Sequence, residues 1–161
     1  MEWHRDEFTV SDDRTMVNVR IVTKLLGDTY WGHRRPLHVV EHLIGNSLCF
    51  SMFSGGGQIG FARLVTDRTV FSWLSDLVIE ESFRGRGLGR WFMECILNHP
   101  DVAGTQFVLQ TRSAHRLYEQ FGFELNDKLM TRLAPAYDKQ MEPTCSTLCP
   151  PSPLCPRYHL K

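Results

Sequence analysis

No stretch of this chain is apolar for long enough to cross a bilayer. No charge of one sign predominates either: 18 Lys and Arg stand against 18 Asp and Glu. A nucleic-acid binder would carry a clustered basic excess, so that class is set aside. The first residues, Met-Glu-Trp-His-Arg-Asp-Glu, include acids and no apolar segment, unlike a secretory leader. The expectation is a cytoplasmic protein with neither membrane nor nucleic acid among its partners. Cysteine is scarce before residue 134, where only Cys49 and Cys95 occur. The other three, Cys145, Cys149 and Cys155, have no C-x-x-C pairing, and a cytosolic setting gives no reason for a disulfide framework. Proline is nearly absent over the same span. Six of the eight prolines fall after Ala134. That density prevents regular elements, so residues 134–161 are expected to form a flexible tail behind one domain spanning 1–133. At 161 residues the chain is long enough for one proper core.

What is present alternates between strand and helix signals. Residues 7–12 read as a first strand. Asp12 or Asp13 then caps a helix from about Thr15, with Met16, Val19, Val22, Leu25 and Leu26 on one face and Gly27-Asp28 ending it. Pro36 opens a second helix carrying Leu37, Val40 and Ile44. Residues 48–53 and 58–65 are two strands joined across Gly55-Gly56-Gly57, and a third follows over 70–80. Then come a helix over 87–98, a buried-type strand at 107–109, and a helix with Ala114, Leu117, Tyr118 and Phe121 on one face. Phe123-Glu-Leu and Leu129 to Leu133 are expected to supply the last strand or strands. The fold class is α/β, with a mixed, mostly antiparallel twisted sheet flanked by helices. His38 and His42 have the spacing of two zinc ligands, but no motif supplies a third; no metal is expected.

The chain is organised around Phe71 to Ile96, where a strand feeds Arg84-Gly85-Arg86-Gly87-Leu88-Gly89 and that loop opens a helix. The unpaired N–H groups and dipole of a helix N-terminus favour an anion there. Glycines let the backbone approach it, and Arg84, Arg86 and Arg90 add guanidinium forks. A Walker A loop fails because Arg90 and Trp91 follow Gly89 in place of Lys-Ser/Thr. A dinucleotide fingerprint fails because the spacing is G-x-G-x-G and the next strand, 105–111, holds no acid.

Arg84, Gly87 and Gly89 meet the pattern [Arg/Gln]-x-x-Gly-x-[Gly/Ala], which resembles the acetyl-CoA pyrophosphate loop of the GNAT superfamily of N-acetyltransferases. Ala114-His-Arg-Leu-Tyr-Glu-Gln-Phe-Gly-Phe123 resembles the family's second block, in the right order and one strand later. The likeness covers about residues 6 to 133. It implies that acetyl-CoA is the co-substrate, with Leu77, Val78 and Ile79 lying along its pantetheine arm. It also implies that the loop from Arg84 to Arg90 holds its pyrophosphate, that Tyr118 is the acid toward the departing thiolate, and that the partner is a small primary amine. Where the family often has Asn, this chain has Thr111, whose single hydroxyl is a shorter cofactor contact. Asp76 is the favoured base, beside Glu80, Glu81 or a water relay. In the loop between the first two helices, Tyr30, Trp31, His33, Arg34 and Arg35 either contact the acceptor or are a packed Trp and solvated arginines. If they bind, their charge suits an acceptor carrying a carboxylate. A protein or peptide acceptor, a non-catalytic acyl-CoA-binding module and a plain structural domain stand as alternatives; a homodimer is common in the family.

Overall fold

A computed structural model describes residues 1–32 and 35–132. The sequence's alternation of short apolar runs and amphipathic stretches resolves into six strands and four helices in one sheet of order β1-β2-β3-β4-β5-β6. The elements are β1 (Glu2–Arg5), β2 (Phe8–Ser11), α1 (Val19–Gly27), α2 (Leu37–Gly45), β3 (Leu48–Ser54), β4 (Gly57–Thr66), β5 (Phe71–Ile79), α3 (Leu88–Leu97), β6 (Gln106–Leu109) and α4 (His115–Glu119). Neighbouring strands are antiparallel from β1 to β5, and only β5–β6 is parallel. That single parallel pair needs a crossover, which α3 provides.

Each face of the sheet buries its own core. On one, Phe50, Met52, Leu64 and Leu74 meet Phe92, Met93 and Ile96 of α3. On the other, Phe61 and Val78 meet Val22 and Leu26 of α1 and Val40 and Ile44 of α2. Alternation along β3 and β4 sends successive side chains to opposite faces, so a central strand covered on both reads as nearly continuous apolar sequence. Gln58, buried among them, is fully used. Its Nε2 donates to Ser51 Oγ and the Gly60 carbonyl, and its Oε1 accepts from Asn18 N–H, fixing the start of α1 to the sheet.

Three boundaries differ from the sequence reading. A first strand, β1, pairs with β2 through a turn in which Asp6 has φ 53°; its charged residues hide the alternation. The first helix begins at Val19, because Asn18 Oδ1 accepts from the N–H groups of Arg20 and Ile21, while Asp13 caps only a 3-10 turn at Arg14–Met16. Residues 123–132 form no strand, and Leu125 and Met130 are 90% and 94% exposed. Apolar alternation there finds no neighbour to pair with. The expected tail from Ala134 lies outside the described residues.

Candidate active site

The glycine-arginine loop is built as an anion cradle. After a 3-10 turn at Glu81–Phe83, Gly85 and Gly87 take φ 77° and 74°, and Gly87 caps α3 without any side-chain hydrogen bond. Among the described residues, the six successive N–H groups from Gly85 to Arg90 find no acceptor in the protein. A Cβ added at Gly85 or Gly87 would meet nothing within 4 Å. Converging unpaired donors beside open space at a helix N-terminus fit a diphosphate. The arginines are partly committed. Arg84 Nε donates to the Ile79 carbonyl at 2.9 Å, bracing the end of β5. Arg86 lies over the Phe83 ring, and Arg90 Nε donates to Glu94 Oε1. Arg86 also donates from Nη2 to the Ser82 carbonyl.

One strand before that loop, the sheet parts. β6 pairs with β5 only from Phe71↔Gln106 to Leu74↔Leu109, so residues 75–79 have no β6 partner. On the other edge of β5 the register slips: Arg63 faces Ser75 while Phe61 faces Val78. Asp76 and Leu77 therefore stand opposite Ala62 alone, a bulge. Asp76 absorbs it with φ 56°, a conformation that Asp tolerates better than most side chains. Leu77, Val78 and Ile79 thus run from the bulge toward the cradle with their β6-side backbone edge unpaired.

Two guanidiniums hold Asp76, whose side chain is 1% exposed. Arg35 Nη1 reaches Oδ1 and Arg63 Nε reaches Oδ2, each at 2.6 Å. Arg63 spends its other arms on Ser47 Oγ and Ser75 Oγ. Removing one partner of such a buried set typically costs ~3–5 kcal/mol, since a charge is left without its counterion. The expected base is thus engaged at both oxygens, although each retains a second lone pair.

Tyr118 lies half-buried on α4, against Phe123. Burial pushes its phenol above the ordinary tyrosine value, and Tyr30 adds to the shift. Tyr30 also packs edge-on against Trp31 and lies under the Arg112 guanidinium, 4.8 Å from ring centre to Cζ. Thr111 Oγ1 accepts from Ala114 N–H, so this hydroxyl shapes the entry to α4.

The sequence-expected residues are therefore gathered by three elements: the β5 bulge, the α3 N-terminus and α4. From the loop between α1 and α2, Tyr30 reaches the α4 side and Arg35 the bulge; Arg34 lies outside the described residues. Arg63 and Arg112 went unnoticed in the sequence. The signal for Arg63 was a charge inside Gly60-Phe-Ala-Arg-Leu-Val65, a run otherwise fit only for burial, with Asp76 equally isolated in the next strand. Two buried opposite charges on adjacent strands call for each other. Arg112 left no comparable signal. Among the described residues no group of three or more His, Cys, Asp or Glu is placed to hold a metal ion, and no helix is long and apolar enough to cross a membrane.

The acetyltransferase (GNAT) domain model matches residues 45–125, from the end of α2 through α4. A crystal structure from Xanthomonas campestris pv. campestris, assigned to the GNAT acetyltransferases, is 35% identical, with TM-score 0.76 over 81% of this chain and 96% of its own. A Gibberella zeae protein described as an acetyltransferase is 27% identical over 116 residues, 60% of this chain; the chain spans 65% of that relative's length. A GNAT family acetyltransferase from Elizabethkingia anophelis, solved with acetyl-CoA bound, shares the fold. It is 16% identical, with TM-score 0.59 over 76% of this chain and 80% of its own.

Proposed function

The chain belongs to the GNAT acetyltransferase family, and from that premise we propose that it transfers an acetyl group from acetyl-CoA to the primary amine of a small molecule. The observation that carries this reading is the run of six unpaired N–H groups from Gly85 to Arg90, at the end of a strand whose edge from Ser75 to Ile79 is left open by β6. A family member with acetyl-CoA bound supports the choice of co-substrate. The cradle receives the diphosphate, with Arg84, Arg86 and Arg90 as its cationic rim. The bulged backbone at Asp76–Val78 offers pairing groups to the pantetheine arm and a donor to the thioester oxygen.

Acetyl-CoA supplies the acetyl group already activated as a thioester. The amine must be neutral to attack, yet only about one in 10³ lysine-like amines is neutral at pH 7. Asp76, buried and paired at both oxygens, holds the bulge in place, and the amine proton leaves through a water relay. The new C–N bond forms as the C–S bond breaks, with its electron pair left on sulfur. Tyr118 gives its proton to that sulfur. Thr111 steadies the turn that presents Tyr118. A cleft whose described charged groups cluster at a buried carboxylate is more suited to a small acceptor than to a polypeptide.

Thermal unfolding with acetyl-CoA, CoA, ATP and NAD in parallel tests the cofactor assignment. Acetyl-CoA and CoA are expected to stabilise by about 2.7 kcal/mol at a hundredfold excess over Kd, with no shift from ATP or NAD. Gly87→Glu, which sets a carboxylate in the cradle, should remove the shift. A CoA shift that survives this substitution sinks the site assignment. Release of free thiol with an amine panel then separates a transferase from a module that only binds acyl-CoA.

A further inference from the structure

Tyr30 and Arg35, at the two ends of the connection between α1 and α2, reach different elements of the site. Arg35 reaches the bulge at Asp76. Tyr30 carries the Arg112 guanidinium on its ring and faces the Tyr118 side. Two guanidiniums, Arg35 and Arg63, thus meet on one carboxylate, Asp76.

The two are not equally occupied. Arg63 donates from Nε, Nη1 and Nη2 to Asp76, Ser47 and Ser75. Arg35 donates to Asp76 through Nη1 alone, and its Nε and Nη2 find no acceptor among the described residues. Its side chain is 12% exposed, and no buried side-chain nitrogen among the described residues lacks a partner, so those two donors are open to a ligand from solvent. The Nε–Nη2 edge is the fork that matches the two oxygens of a carboxylate. A polyamine would meet net positive charge at the same place.

We propose that the acceptor is an amino acid-like molecule whose carboxylate seats on the unused fork of Arg35, holding its amine against the bulge beside Leu77. This deepens the acetyl-transfer reading and rests on it. In this arrangement the acceptor's own carboxylate completes the charge balance of the Arg35–Asp76–Arg63 cluster. Arg35 then serves as a specificity residue, and the carboxylate fixes the distance between amine and thioester.

The test uses matched acceptors: amino acids against their carboxamides and methyl esters, with a polyamine as the opposite extreme. The wild-type protein is expected to favour each acid over its amide by about tenfold or more in kcat/KM, the scale of a charge-assisted hydrogen bond. Arg35→Lys keeps a positive charge beside Asp76 but loses the fork, and Arg35→Gln loses both. Both should bring the acid-to-amide ratio toward one while the acetyl-CoA thermal shift persists. A ratio near one in the wild type, a preference for the polyamine, or an Arg35 variant that lowers acid and amide alike would overturn the proposal. Acetyl-CoA binding with no amine acetylated would bring down the catalytic reading, and this one with it. Acetylation of uncharged amines alone overturns only this one.

Discussion

Tyr118 must carry its proton to act as an acid, and its surroundings keep it there. Burial, with Tyr30 nearby, raises the phenol above its ordinary value near ~10. The alkaline limb of kcat is therefore expected above pH ~10, so the acid form persists across the neutral range. Tyr118→Phe should lower kcat by about 10²-fold with a smaller change in KM, the scale of one general acid. A variant with full kcat would return Tyr118 to the core. Tyr118 and the cradle were legible in the sequence because each sits in a short contiguous motif. Arg63 and Arg112 were not. Their meaning comes from partners 13 residues away across a strand pair and on a different loop, and no local pattern contains both halves of such a contact.

At the scale of the element, the N-terminus of α3 separates stability from binding. Gly87 needs its left-handed φ, whereas Gly89 is inside the helix, where an added Cβ would meet only Leu117 at an ordinary 3.9 Å. Gly87→Ala is expected to cost ~1–2 kcal/mol of stability through backbone strain. Gly89→Ala should instead stabilise by ~0.5–1 kcal/mol, as alanine does inside a helix. If Gly89→Ala raises Tm and also weakens acetyl-CoA binding, the glycine is there for close approach of the ligand. An equal affinity would make it incidental. The elements read best from sequence are those with strong local punctuation. Pro36 starts α2, the Gly55–Gly56 turn divides β3 from β4, and Gly87 starts α3. The failed strand at 123–132 had the alternation alone, and alternation does not create a partner edge.

For the whole molecule, acid is the sensitive direction. Asp12 is raised by burial, but hydrogen bonds from the Met1 ammonium and His99 outweigh that and leave it below its ordinary 3.8. Asp67 is also lowered, chiefly by the N–H groups of Phe71, Thr69 and Val70. A folded pKa below the unfolded one means stability that is fully present above pH ~4 and is lost as pH falls through the folded values. Urea midpoints measured between pH 5 and pH 2 should decline. Asp67→Asn should flatten that decline, and an unchanged slope would show that the turn contributes nothing. The two described cysteines add no competing reactivity, since burial pushes Cys49 up to about 11 and Cys95 up to about 12.

The bulge at Asp76 has a consequence for how solvent reads the sheet. Asp76 and Leu77 have no register partner on either edge, since β6 stops opposite Leu74 and the pairing with β4 skips them. Their amides should take up deuterium at rates expected of a surface loop, while those of β3 and β4 on either side of the turn stay protected. A molecule lying along the cleft would cap these amides. Occupancy of the cleft would then be visible as slowed deuterium uptake at these two positions of β5, with no turnover required.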